Sequence, residues 1–233
     1  MAKTKTKKEE GIEFLEDPDV LASKAEEFFN SKRNKTLVFG VGGVLAALVA
    51  VFLIYRFYIT NQNLEAQEEM FQAVYYFEAD SLGKALNGDG INYGFLDIIE
   101  DYSGTDAANL SSFYAGATYL KMGDYSSALR YLSDFSSGDY LVQARAYSLM
   151  GDAHMELEDY SSASSAYQKA ANYKSNEQYS PIYLQKAAIA QENNGDFAAA
   201  AKSYGKIVDE FPNSSLVQEA KKQKARLQGL AAN

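Results

Sequence analysis

The chain has 233 residues with 22 Lys/Arg, 31 Asp/Glu, three prolines and no cysteine, a length that allows one or two compact units. Without cysteine there is no disulfide framework or thiolate metal site, and abundant Ala, Ser, Leu and Tyr with so few prolines favour an all-α class over many short strands. Residues 57–233 carry 13 Lys/Arg against 23 Asp/Glu, a surface that repels a phosphate backbone and excludes nucleic acid as a partner.

Residues 1–35 hold eight Lys/Arg and eight Asp/Glu. The Lys/Glu-rich start, residues 1–11, reads as a solvated tail. The following stretch, DPDVLASKAEEFFNSKRN, reads as a short amphipathic helix with Pro18 at its first position and Val20, Leu21, Ala25, Phe28 and Phe29 loosely on one side. Thr36 to Tyr55 is a run of 20 residues without a charge. At about 1.5 Å rise per residue it covers a hydrocarbon core of about 30 Å, so residues 36–59 are assigned to a single transmembrane helix. A cleaved signal is disfavoured by the acidic residues before the run and the lack of a small-x-small site after Tyr55. Lys24, Lys32, Arg33 and Lys35 precede the run, while Arg56 is the only basic residue after it until Lys84. This asymmetry predicts a cytoplasmic N-terminus and a large domain outside the cytoplasm, which in a bacterium is the periplasm. Within the run Gly42, Gly43, Ala46, Ala47 and Ala50 recur four apart and form a face for close helix packing, although ordinary membrane-helix composition reads the same way.

Residues 60–106 read as a stalk helix and a degenerate leading repeat. Its first helix is expected over Asn61 to Leu86, with Leu64, Gln67, Phe71, Val74 and Tyr75 on one face and a break at the NGDG of residues 87–90. NYGFLDIIEDYS (Asn92 to Ser103) is similar to SYGKIVDEFPNS further on and is expected to supply the second helix.

Residues 107–233 contain three related blocks: GDYSSAL from Gly123, EDYSSAS from Glu158 and GDFAAAA from Gly195. Their central alanines, Ala128, Ala163 and Ala200, are 35 and 37 residues apart. The tetratricopeptide repeat has a period of about 34, with an apolar–Gly pair and Tyr on the first helix and an aromatic four after the alanine of the second. Tyr147, Met150, Gly151, His154, Ala163 and Tyr167 match that pattern, with His154 in the Tyr place. Ala115, Gly116, Tyr119, Ala128 and Leu132 match it once more, as do Leu184, Ala187, Ala188, Ala200, Tyr204 and the terminal Pro212. The sequence thus resembles the tetratricopeptide family, and the expected fold is an α-solenoid of three helix pairs plus the leading repeat. NSSLVQEAKKQKARLQGL closes it as a C-terminal capping helix begun by a Ser215/Gln218 capping box.

No catalytic constellation, phosphate loop or ligand cluster surrounds the one histidine, so His154 is read as structural, and neither enzyme activity nor any cofactor is expected. The family resemblance implies protein binding in a concave groove lined by the first helix of each repeat. Its groove-facing positions fall here on Leu110, Phe113, Ala117 and Leu120; on Arg145, Ser148, Asp152 and Met155; and on Ile182, Gln185, Ile189 and Glu192. Several of these read equally as inter-repeat core. The set lacks the Lys/Asn clamp with which some members of the family hold a C-terminal carboxylate.

The whole plan, a basic-flanked anchor ahead of a small repeat domain, resembles the YfgM type of anchored repeat proteins, ancillary subunits of the SecYEG translocon in the bacterial inner membrane. That resemblance implies contact with the translocon, and with periplasmic chaperones or emerging secretory substrates. The alternative is a structural scaffold subunit of another envelope machine, for outer-membrane assembly, secretion or division.

Overall fold

The computed structural model describes residues 18–232. The expected tail of residues 1–11 and the side chains of Val20 and Leu21 lie outside the described residues. Among the described residues there are eleven α-helices and no strand, and the chain divides into two units, Met1–Tyr58 and Ile59–Asn233.

In the first unit, α1 (Pro18–Asn30) begins at the proline, whose missing N–H costs nothing in a first turn and whose φ is already helical. Phe28 and Phe29 meet edge to face at 5.8 Å. The next helix, α2 (Lys32–Glu78), carries the uncharged run. It alone among the described residues is long and apolar enough to cross a membrane, and its apolar stretch is not buried. A side chain added at Gly42 or Gly43 would meet nothing within 4 Å, and Ala46, Ala47 and Ala50 are exposed, so the small-residue face is uncovered.

The second unit starts with the last turns of α2, which pack on α3 (Leu82–Asn87), α4 (Phe95–Asp101) and α5 (Asp106–Met122). Here one expectation needs correction. The first helix does not run to Leu86: it stops at Glu78, where Ser81 N–H reaches back to the Tyr76 carbonyl at 2.8 Å and Asp80 turns left-handed at φ 56°. That is the closing geometry of a Schellman motif, at an Asp, one of the few residues besides Gly that tolerates it. The short α3 then brings Ala85 and Leu86 into the core. The face that carries most of the bulky residues looks outward. Leu64, Gln67, Phe71 and Tyr75 are exposed, and only Val74 of that set packs inward, beside buried Ala66 and Ala73 and half-buried Met70 and Phe77. The two alanines let α2 approach the Phe95, Ile98 and Tyr114 layer, where Phe95 and Tyr114 stack at 5.2 Å. Asn63 accepts the Ala107 N–H at 2.9 Å and so helps cap α5 from across the packing.

Three helix pairs follow: α5 with α6 (Tyr125–Asp134), α7 (Tyr140–Glu156) with α8 (Tyr160–Asn172), and α9 (Ser180–Asn193) with α10 (Phe197–Glu210). Each second helix also packs on the first helix of the next pair, as in a solenoid. The three sequence blocks are their turns. Gly123, Glu158 and Gly195 hold the left-handed φ of 82°, 58° and 77° that ends the first helix. The aspartate that follows caps the second helix: Asp124, Asp159 and Asp196 accept the N–H of Ser127, Ser162 and Ala199 at 3.0, 3.0 and 2.9 Å. In the first two pairs the glycine of the first helix is a point of close approach. A Cβ at Gly116 would lie 2.6 Å from Leu132 Cγ, and one at Gly151 would lie 2.5 Å from Tyr167 Cε1.

Helix α11 (Val217–Ala231) covers the last pair with Val217, Ala220 and Leu227. The expected Ser215/Gln218 capping box does not form. The chain makes a tighter turn, Val217 N–H to the Ser214 carbonyl, and Ser214 Oγ rather than Ser215 accepts an amide, that of Leu216.

Candidate protein-binding surface

The expected groove positions fall into three groups in space. On α5, Leu110, Phe113 and Leu120 pack against buried Ala117, Leu132, Phe135, Ala146 and Leu149, and the Phe113 and Phe135 rings lie 5.3 Å apart. They therefore cement the first pair to α7 and leave only part of each side chain open. Ser148 is fully buried with no partner for its hydroxyl, and Ala117 is buried.

On α7 the groups are more polar. Arg145 is exposed, while Asp152 is half-buried and doubly held. Its carboxylate accepts the Tyr167 hydroxyl at 2.6 Å and pairs with Lys186 Nζ at 2.7 Å. Lys186 Nζ also stands 5.4 Å from the Tyr167 ring centre. Burial, and then the Asp152 hydrogen bond, push the Tyr167 phenol well above its usual range, so it stays a donor. Met155 packs on the cluster of Ala163, Tyr167, Ala187 and Ala190. On α9, Ile182 and Ile189 are 43% and 42% exposed, large apolar side chains standing open to water, with half-buried Gln185 on the same helix. Glu192 is tied to Arg226 of α11 through both carboxylate oxygens, at 2.8 and 2.6 Å.

The middle of this surface is a hollow of about 470 Å³ whose walls include Leu120, Met155, Asp152 and Lys186. It also takes in Tyr125 and Glu156, whose hydroxyl and carboxylate are 3.2 Å apart. Tyr125, Glu156 and Lys186 were not among the residues expected from sequence. Lys186 had no signal there, because its partner lies 34 residues away on another helix and only the stacking of α9 on α8 brings the two together. The hollow sets Leu120 and Met155 among mostly polar walls, with two carboxylates against one ammonium, so it suits a positively charged group with an apolar stem. Among the described residues no group of three or more His, Asp or Glu is placed to hold a metal.

His154 ends α7 half-buried, its Nδ1 at 3.5 Å from the Asp159 carboxylate and without a hydrogen bond.

Comparison with known proteins agrees with this geometry. No curated protein and no solved structure matches the chain. The tetratricopeptide repeat family model matches residues 183–214, which run from the second turn of α9 through α10 to the closing turn. That match supports reading the chain as a tetratricopeptide repeat protein, built on a fold that serves protein–protein interaction.

Proposed function

We propose that this is a membrane-anchored, non-enzymatic protein-binding module whose concave surface holds apolar segments of partner proteins. The observation that carries the reading is the half-open row of Met155, Ile182 and Ile189 beside the Asp152–Lys186 pair. Large apolar side chains left open along one repeat surface, with a small fixed polar group among them, are the ingredients of a helix- or strand-binding groove. The uncharged half of α2 serves as the anchor, with its N-terminal end in the cytoplasm and the repeats in the periplasm of a bacterial inner membrane. Its Gly42/Gly43/Ala46/Ala47/Ala50 face packs on a neighbouring membrane helix. The partners we favour are subunits of the SecYEG translocon at the anchor, and periplasmic chaperones or emerging secretory chains at the groove.

The test places a photo-crosslinking residue at Ile182 or Ile189 of the full chain in its native membrane. Adducts with translocon subunits or with chains in transit, reduced at least fivefold by Asp152→Lys, are the expected result. Adducts confined to one other envelope complex would replace the adaptor with a scaffold, and retention of the protein in the soluble fraction after alkaline extraction would remove the anchor.

A further inference from the structure

The repeat stack ends in two uncovered faces of opposite charge. At its start, the outer side of α2 shows Leu64, Phe71 and Tyr75 at 58, 75 and 58% exposure. Glu68 and Glu78 are exposed beside them, and no Lys or Arg occurs over residues 57–83. At its end, α10 and α11 enclose a groove of about 640 Å³ with a floor of small residues, Ala198, Ala201 and Gly205. Lys202, Lys206 and Lys224 line it, with Asp209 and Glu210 also present. None of the three lysines is in an ion pair among the described residues. Lys224 lies nearest to Gly205, and its flexible tip would sit 3.4 Å from a Cβ there. The imbalance extends beyond these side chains. Residues 59–196 hold seven Lys/Arg and twenty Asp/Glu, whereas residues 197–231 hold six and three.

Solenoid packing says what such a groove accepts. Helices α5, α7 and α9 are each covered by the second helix of their own pair, while α11 stands in the place of a first helix and has no second helix after it among the described residues. The groove thus has the place that a helix fills in the earlier pairs. We propose that copies of this chain associate head to tail, the outer face of α2 in one copy seating in the α10–α11 groove of the next. From Leu64 to Tyr75 the helix rises about 17 Å, and α10 from Ala198 to Glu210 rises about 18 Å, so the two faces match in length. Large side chains meet an Ala/Gly floor, and Glu68 and Glu78 meet lysines. The symmetric alternative, α2 against α2, sets those glutamates against their own copies with no Lys or Arg over residues 57–83 to offset them, which opposes association. One helix in one groove buries less than the roughly 800 Å² per partner of stable complexes, so the contact is weak and concentration-dependent. Being heterologous, it propagates along a row of copies.

The absence of cysteine makes the test direct. Full-length chain bearing Gln67→Cys is mixed in mild detergent with a differently tagged full-length chain bearing Ala198→Cys, and oxidised at graded concentrations. Both positions are exposed, so neither change burdens folding. The expected product is the 67–198 disulfide, at least tenfold over either like pair. Lys202→Glu with Lys206→Glu in the acceptor should cut it at least fivefold, and Glu68→Lys in the donor should restore it. Predominance of the 67–67 product would mean symmetric pairing of α2 and overturn the proposal, as would a yield insensitive to concentration or to charge reversal. Capture of the chain by phosphatidylglycerol vesicles through the same lysines, with no 67–198 product, would assign the groove to lipid instead and likewise overturn it.

Discussion

Three aspartates show what a single side chain contributes at a helix start. Asp124 accepts the Ser127 hydroxyl and amide, Asp159 does the same with Ser162, and Asp139 accepts the amides of Leu141 and Val142. These bonds favour the ionised form and hold each carboxyl below its usual range. A depressed carboxyl stabilises the fold above its unfolded pKa of about 3.9, and that stabilisation is lost as pH falls through the lower folded value. The urea midpoint of the chain in detergent should therefore be flat from about pH 7 to 5 and drop below about pH 4. Asp124→Asn with Asp159→Asn should make the acid side shallower, since Asn still caps but does not titrate. A slope unchanged by the double substitution would remove the caps as its source.

At the scale of elements, the pairing of helices was legible in sequence because it depends on few residues. Gly151 on α7 exists for Tyr167 on α8, and Gly116 on α5 for Leu132 on α6, and such size complementarity repeats at a fixed spacing. Gly151→Leu should therefore displace Tyr167, break its bond to Asp152 and cost about 1–3 kcal/mol in chemical unfolding. Gly83→Ala, where a Cβ meets nothing within 4 Å, should leave the midpoint nearly unchanged. The end of the leading helix was misread because no glycine marks it: Asp80 takes the left-handed turn instead. The inward side of that helix holds Ala66 and Ala73 with half-buried Met70, Val74 and Phe77, while Leu64, Phe71 and Tyr75 point outward. On this helix the row of bulky residues therefore does not mark the core side. The Asp152–Lys186 pair was illegible too, because side chains 34 residues apart meet only once the repeats are stacked.

At the scale of the whole repeat unit, stability is a sum over neighbours, and the two ends are not equivalent. The leading end is knitted by a cluster of large side chains, Phe77, Phe95 and Tyr114 among them, with ring centres 5.2 to 6.5 Å apart. The closing end rests on Val217, Ala220 and Leu227 and on one ion pair at the surface, Arg226 to Glu192. An exposed pair of that kind adds little, about 0–1 kcal/mol. Opening should thus start at α11 and move inward, exposing Tyr204 and Ile207 of α10 next, since both belong to the core cluster that α11 closes. Hydrogen exchange on the full chain should show the amides of α11 least protected, those of α10 next, and α7 to α9 exchanging only with the unit as a whole. Arg226→Ala should speed α11 without touching α7. If α4 and α5 exchanged before α11, the aromatic cluster would not be the stronger clamp, and the order of opening would have to be reversed.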